Sequence, residues 1–257
     1  FQIFEDGVEQ EIALFEPVEE PFTIFFLLDV SGSMTNEIDN LTNAANIFVR
    51  KLRSDDKLIA ATFADNTRIL FQPTKIKELE KGIKLSRHYD AHSTLIYDVV
   101  DSAIKKINKI KGRKAIVLFS DGAGAGTYAT SKGNLRDAEE SDAIIYTVQF
   151  ETYSEMPPAY INKESYQKRI KEINNYMRDL ASISGGRSYQ IKNISNLGET
   201  FGNIADELGQ QYSLSYYPKQ MGNEQKKESK QIRQIKVKVN QPNLAVRSRS
   251  SYVVKSN

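Results

Sequence analysis

The sequence has 257 residues, 40% of them hydrophobic and 26% charged, enough for one sizeable α/β domain with a small addition. A net charge of +2 gives no general attraction to nucleic acid or to an anionic membrane, and no apolar run approaches the length of a bilayer span. The absence of cysteine excludes disulfide frameworks, thiolate zinc sites and cysteine nucleophiles.

Residues 1–15 alternate apolar and polar side chains around Asp6-Gly7, a hairpin dipeptide. Residues 23–28 are apolar in succession and stop at Asp29, the pattern of a parallel strand buried on both faces. A helix over 38–52 follows from apolar spacing near 3.6, then a strand at 57–63 and an edge candidate at 68–71. A second amphipathic stretch covers 95–110. Two more buried strands, 115–119 and 143–148, end at Ser120-Asp121 and at Gln149. Residues 151–167, with Pro157-Pro158 and three tyrosines, look like an inserted loop. Helices are expected at 168–183, closed by Gly185-Gly186, and at 197–208, with a strand at 188–191 between them. Residues 212–217, 232–239 and 244–254 alternate again, with a turn at 240–243.

Strands and helices in alternation predict an α/β fold with a doubly wound, mostly parallel sheet over residues 20–211. Residues 1–19 and 212–257 are expected to meet as a small appended antiparallel sheet. Ligands of doubly wound sheets bind outside the carboxyl ends of the strands, which puts the Asp29 and Asp121 loops on one functional edge.

The sharpest feature is Asp29-Val30-Ser31-Gly32-Ser33-Met34, directly after a buried strand. One carboxylate and two hydroxyls at alternating positions aim three oxygens at one point, and hard oxygen donors suit Mg²⁺, Ca²⁺ or Mn²⁺ rather than zinc. This Asp-x-Ser-x-Ser loop resembles the first motif of the metal-ion-dependent adhesion site of von Willebrand factor type A domains. Ser93-Thr94-Leu95-Ile96-Tyr97-Asp98 is similar to the second element, with Thr94 in the ligand position, and Phe119-Ser120-Asp121-Gly122 is similar to the third. The resemblance implies that Ser31, Ser33 and Thr94 ligate a divalent cation, with Mg²⁺ first among the candidates, while Asp29 and Asp121 act mostly through water. His92, Ser93, Gly122 and Tyr128 would form the rim that a ligand meets. His92-Ser93 and residues 123–126 depart from the commoner versions of the motif without removing a ligand.

Outer motifs extend the likeness: Phe4-Glu5-Asp6-Gly7, Ser184-Gly185-Gly186-Arg187 and residues 208–218 resemble the bacterial family called VWFA-related Acidobacterial domain. That resemblance implies an exported protein, periplasmic, cell-surface or secreted. Any signal peptide is expected outside this sequence, which opens on Phe1. The implied function is adhesion or scaffolding without catalysis, in which an acidic residue of a partner protein completes the cation's coordination. No role with nucleic acid or within a membrane is implied.

Simpler readings compete. Asp29, Ser31 and Thr94 could serve only as helix caps. Residues 124–129 fit a G-x-G-x-x-A dinucleotide pattern, although the helix after them is poorly marked because it contains Gly133. A metal-assisted hydrolase would need a base, for which His92 is the nearby histidine; His88, the other histidine, reads as a surface residue. A metal-free assembly module would bind through its appended β edge by strand addition. Tyr128, Tyr153, Tyr160 and Tyr166 are aromatic candidates for a partner surface or for packing the insert.

Overall fold

The computed structural model describes residues 1–17, 20–86, 94–152, 161–219, 231–240, 246, 248 and 250–254. It begins with three short strands, β1 (Gln2–Glu5), β2 (Val8–Gln10) and β3 (Ile12–Pro17). Asp6 and Gly7 turn between the first two at φ 47° and 84°, the left-handed pair that a tight hairpin turn demands.

The α/β core follows as β4 (Phe22–Asp29), α1 (Ile38–Lys51), β5 (Lys57–Phe63), β6 (Thr67–Lys75), α2 (Ile96–Ile107) and β7 (Arg113–Ser120). It continues through α3 (Ser131–Glu140), β8 (Ile144–Phe150), α4 (Lys163–Ile183), β9 (Ser188–Ile191) and α5 (Leu197–Gly209). The sheet runs β6-β5-β4-β7-β8-β9, parallel throughout except that β6 is antiparallel to β5. All of β4 is buried, as its unbroken apolar run requires. On one face α1 and α5 enclose Phe26, Phe48, Phe119 and Phe201; on the other α2, α3 and α4 cover Phe25, Leu27, Ile116 and Leu118.

Two elements differ from the sequence expectation. Helix α3 forms despite Gly133, because Thr130 Oγ1 accepts the Gly133 N–H at 3.1 Å and caps its first turn. It buries only Asn134 and Ala138, so no apolar stripe announced it. Helix α4 starts at Lys163, inside the expected loop, with Asn162 Oδ1 accepting from the Ser165 N–H at 2.7 Å.

The last strands are β10 (Tyr212–Tyr216), β11 (Gln231–Lys238) and β12 (Ser251–Val254). The chain ends meet as expected, but in two antiparallel sheets: β12-β11-β1-β2 and β10-β3. Register explains the split. β11 already has β1 on one side and β12 on the other, while β3 and β10 flank the core and pair there, Pro17 opposite Tyr212. Glu5, buried, ties the sheets together by accepting from Tyr216 Oη at 2.6 Å and Tyr252 Oη at 3.1 Å. Ser251 Oγ donates to Glu139 of α3 at 2.9 Å, fastening the addition to the core. Residues 241–243 of the expected turn lie outside the described residues, as do Tyr153, Tyr160 and His88.

Phe201 is the hub of its layer, with ring centroids 5.0 Å from Phe26, 5.9 Å from Phe48 and 6.1 Å from Phe119. Replacing it with alanine leaves a cavity under α5, and Phe201→Ala is expected to cost about 3–5 kcal/mol of unfolding free energy in urea titrations.

Candidate metal centre

Adjacent strands β4 and β7 end side by side, and their last residues, Asp29 and Ser120, are both fully buried. Asp29 Oδ1 accepts the Ser31 N–H at 2.9 Å, and Oδ2 accepts from Ser120 Oγ at 2.5 Å. Ser120 Oγ accepts the Gly122 N–H at 2.9 Å, so one serine fastens the two loops to each other. Asp121 Oδ1 accepts the Ala123 N–H at 2.9 Å; its Oδ2 accepts from Ser33 Oγ at 2.8 Å and from Thr152 Oγ1 at 3.0 Å. Ser31 Oγ and Ser33 Oγ lie 3.3 Å apart.

Neighbouring corners of an octahedron with bonds of about 2.1 Å to Mg²⁺ or about 2.4 Å to Ca²⁺ are about 3.0–3.4 Å apart. The separation of the two serine hydroxyls falls in that range, and the hydrogen bond from Ser33 to Asp121 at 2.8 Å suits a carboxylate that orients a ligand. The donor set therefore fits a small hard cation. Among the described residues no three His, Asp or Glu side chains converge, so this grouping of hydroxyls with two carboxylates differs from a histidine- or carboxylate-rich centre.

The capping explanation fails on inspection of the helix starts. Ser31 precedes a 3-10 turn, Gly32–Glu37, without a side-chain cap bond; the cap positions of α1 and α2 are Glu37 and Leu95, again without one. Thr94 is half-buried, and its carbonyl accepts the Ala125 N–H at 2.9 Å, which joins it to the loop after Asp121. The next N–H, of Leu95, donates to Ala64 beyond β5 at 2.8 Å, so Thr94 stands on the same sheet edge.

Of the expected rim, His92 and Ser93 lie outside the described residues. Gly122, at φ 79°, turns the chain against α4: a Cβ there would sit 2.6 Å from Ile173 Cγ2. Tyr128 is exposed, and its hydroxyl engages α2, at 2.9 Å from Ser102 Oγ and 3.2 Å from the Asp98 carbonyl. Tyr166 lies in the first turn of α4, half-buried. Asp98 holds the whole 127–129 loop, accepting the N–H groups of Thr127 at 2.8 Å, Tyr128 at 3.3 Å and Ala129 at 2.9 Å. Those amides are the ones a dinucleotide pyrophosphate would use, which removes the G-x-G-x-x-A reading. Thr152 carried no sequence signal, being a lone hydroxyl past the end of β8. Ser120 lay within the third motif, but its bridging role required the fold.

Burial first, and then the negative charge of Asp121, push the Asp29 carboxyl up to about 7, against the partly opposing bonds from Ser120 and Ser31. Two carboxylates held together in a buried setting form a pair that a divalent cation would relieve.

Comparison with known proteins concerns the fold that carries these residues. Residues 24–123 match the family model described as von Willebrand factor type A domain. A UPF0353 protein of Mycobacterium marinum is 23% identical over 208 residues, covering 72% of this chain and 60% of the relative. The chain thus spans about 60% of the length of the curated relatives it matches. Among solved structures, the ArnB paralog VWA2 from Sulfolobus acidocaldarius aligns with a TM-score of 0.52 at 20% identity, over 78% of this chain and 48% of that one. The vWF domain of the type V pili tip protein Mfa5 from Porphyromonas gingivalis aligns with a TM-score of 0.55 at 12% identity, over 76% and 97%. These likenesses share the fold.

Asp29 generates a test of the electrostatics. Its folded pKa, about 7, lies above the ordinary 3.8, so the folded state binds more protons between those values. Its contribution to stability is present below pH 3.8 and is lost as pH rises through about 7. In chelator, the unfolding free energy of the wild type relative to Asp29→Asn should therefore fall across that window, at about 1.4 kcal/mol per pKa unit. Urea titrations at pH 4.5 and 8 read the difference; parallel pH profiles would refute a strained carboxylate pair.

Proposed function

We infer from the von Willebrand factor type A domain that this chain carries that its work is to bind another protein, through a divalent cation held at the sheet edge. The observation that carries the reading is the Ser31–Ser33–Asp121 cluster, whose oxygens stand at 3.3 and 2.8 Å on an edge prepared by Asp29. Ser31, Ser33 and Thr94 would hold the ion directly, with Asp29 and Asp121 orienting them and the bound waters. When bound, Mg²⁺ (or Mn²⁺ or Ca²⁺) supplies an electrophilic coordination position that a carboxylate of the partner fills. Asp29 is already satisfied by a backbone N–H and a serine hydroxyl, so it fixes the loop at little cost in motion. The two serine hydroxyls are neutral, which leaves an ion bound there with residual charge for an acidic ligand.

The proposed role is binding, not catalysis, and the proposed setting is outside the cytoplasm. The name of one structural neighbour, a pili tip protein, supports an extracellular adhesive role by analogy of fold. No helix among the described residues is long and apolar enough to cross a membrane. A second reading, metal-independent assembly through the terminal strands, is favoured by one observation. Phe1, just before β1, leans on Phe15 of β3 at a centroid distance of 5.2 Å, and Phe15 stacks on Tyr212 of β10 at 5.1 Å, all three remaining exposed.

Calorimetric titration of Mg²⁺ and Mn²⁺ into chelator-treated protein should show one saturable site. The Ser31→Ala, Ser33→Ala double variant should lose it while keeping its unfolding midpoint in chelator within a few degrees. Wild-type protein that takes up neither ion would sink the cation reading and turn attention to the exposed aromatic sheet.

A further inference from the structure

Strand β9 is the outer strand of the six-stranded sheet, and among the described residues nothing pairs with its far side. The carbonyls of Arg187 and Ile191 accept from Thr147 and Glu151, at 3.0 and 2.9 Å, and so face inward. By alternation along a strand, the N–H and C=O groups of Ser188 and Gln190 face outward. An outward row of this kind is a ready template for a further strand.

Beside this edge lies a groove of about 600 Å³, walled by α4 residues Lys171, Asn174, Asn175 and Arg178 and floored by Ser188 and Gln190. It shares Arg178 and Ser188 with a second hollow of about 470 Å³, where Arg187 and Lys236 contribute two more cations. The described residues lining both hollows include four Lys or Arg side chains and no Asp or Glu. Arg178 contacts Asp179 at 3.0 Å and Arg187 contacts Glu207 at 3.3 Å, both partly exposed pairs that a better-placed carboxylate can replace at small cost.

The floor is pre-set from beneath. Gln190 Nε2 donates to Gln149 Oε1 at 3.2 Å, and Gln149 Nε2 donates to Asn174 Oδ1 at 2.8 Å and to the Asp121 carbonyl at 3.3 Å. Gln149 is fully buried, so two groove side chains are fixed before any ligand arrives.

We propose that the groove between α4 and the outer edge of β9 takes an extended acidic segment of a partner protein, paired with β9 as an added strand. Backbone bonds to Ser188 and Gln190 supply the register, and carboxylates on one face of the segment reach Lys171 and Arg178. This site stands apart from the sheet's upper edge and does not depend on the cation.

The test uses the full chain in chelator, carrying Ser31→Ala and Ser33→Ala so that the cation site cannot contribute. The probe is a fluorescent peptide of alternating threonine and glutamate, about eight residues long, read by anisotropy at low salt. The acidic peptide should bind saturably, its threonine–lysine counterpart should not, and Lys171→Glu with Arg178→Glu should weaken binding at least tenfold. The same acidic peptide N-methylated at every backbone amide keeps its charge but cannot pair with a strand, and it should lose binding. Equal binding of the N-methylated peptide would overturn strand addition in favour of plain charge attraction. No binding of the acidic peptide, or binding indifferent to both charge reversals, would overturn the groove altogether.

Discussion

The carboxylate of Asp29 is the constraint on which the upper edge of the sheet depends. It ends a strand that is buried on every side, and it cannot reach solvent. Its two oxygens hold the loop that follows it and the serine that ends the neighbouring strand, so two loops that are distant in sequence share one anchor. Asp121 then receives Ser33 and Thr152, drawing a third segment into the same spot. Each bond is ordinary. Together they place five oxygen-bearing side chains where two carboxyl groups have little water to separate them. Such an arrangement costs stability at the sheet edge, as buried carboxyl pairs do.

The layers below keep that edge still. Helix α4 presses Ile173 and Met177 against Gly122, and Thr147 of β8 donates to the Met177 carbonyl at 2.9 Å. Helix α2 contributes Asp98, whose carboxylate gathers three successive N–H groups and so fixes the loop beyond Asp121. Loops built this way need no secondary structure of their own to hold a shape.

Much of this was legible in the sequence, for physical reasons that differ from element to element. Buried parallel strands carry apolar residues in succession, so β4, β7 and β8 were visible as runs. Helices α1 and α2 turn one face to the sheet and showed the matching period. Helix α3 was obscure because its contact with α2 and α4 rests on Asn134, which donates to the Tyr97 carbonyl and Tyr176 Oη, and on Ala138. The alternation of the terminal strands was readable, yet their partners were not. Alternation reports one face of a strand and says nothing about which edge it will meet. Around the site, Asp29, Ser31, Ser33 and Asp121 stood out through motif spacing and do come together. Thr152 and Gln149 enter only because parallel strands bring the end of β8 beside the end of β7.

The pairing of β3 with β10 and of β1 with β11 has a mechanical side. Both pairs are antiparallel, and in each the end nearer the chain terminus lies at the open end of the pair. The β3–β10 pair would open from its Ile12–Tyr216 end rung by rung, like a zip, whereas Val254 of β12 leaves the four-stranded sheet at the end opposite Gln2, so a pull between the chain ends loads that sheet in shear. The last rung before the α/β domain is Pro17 opposite Tyr212. A pull between the chain ends thus meets the four-stranded sheet in its stiff direction before it reaches the β3–β10 pair and the loops around Asp29.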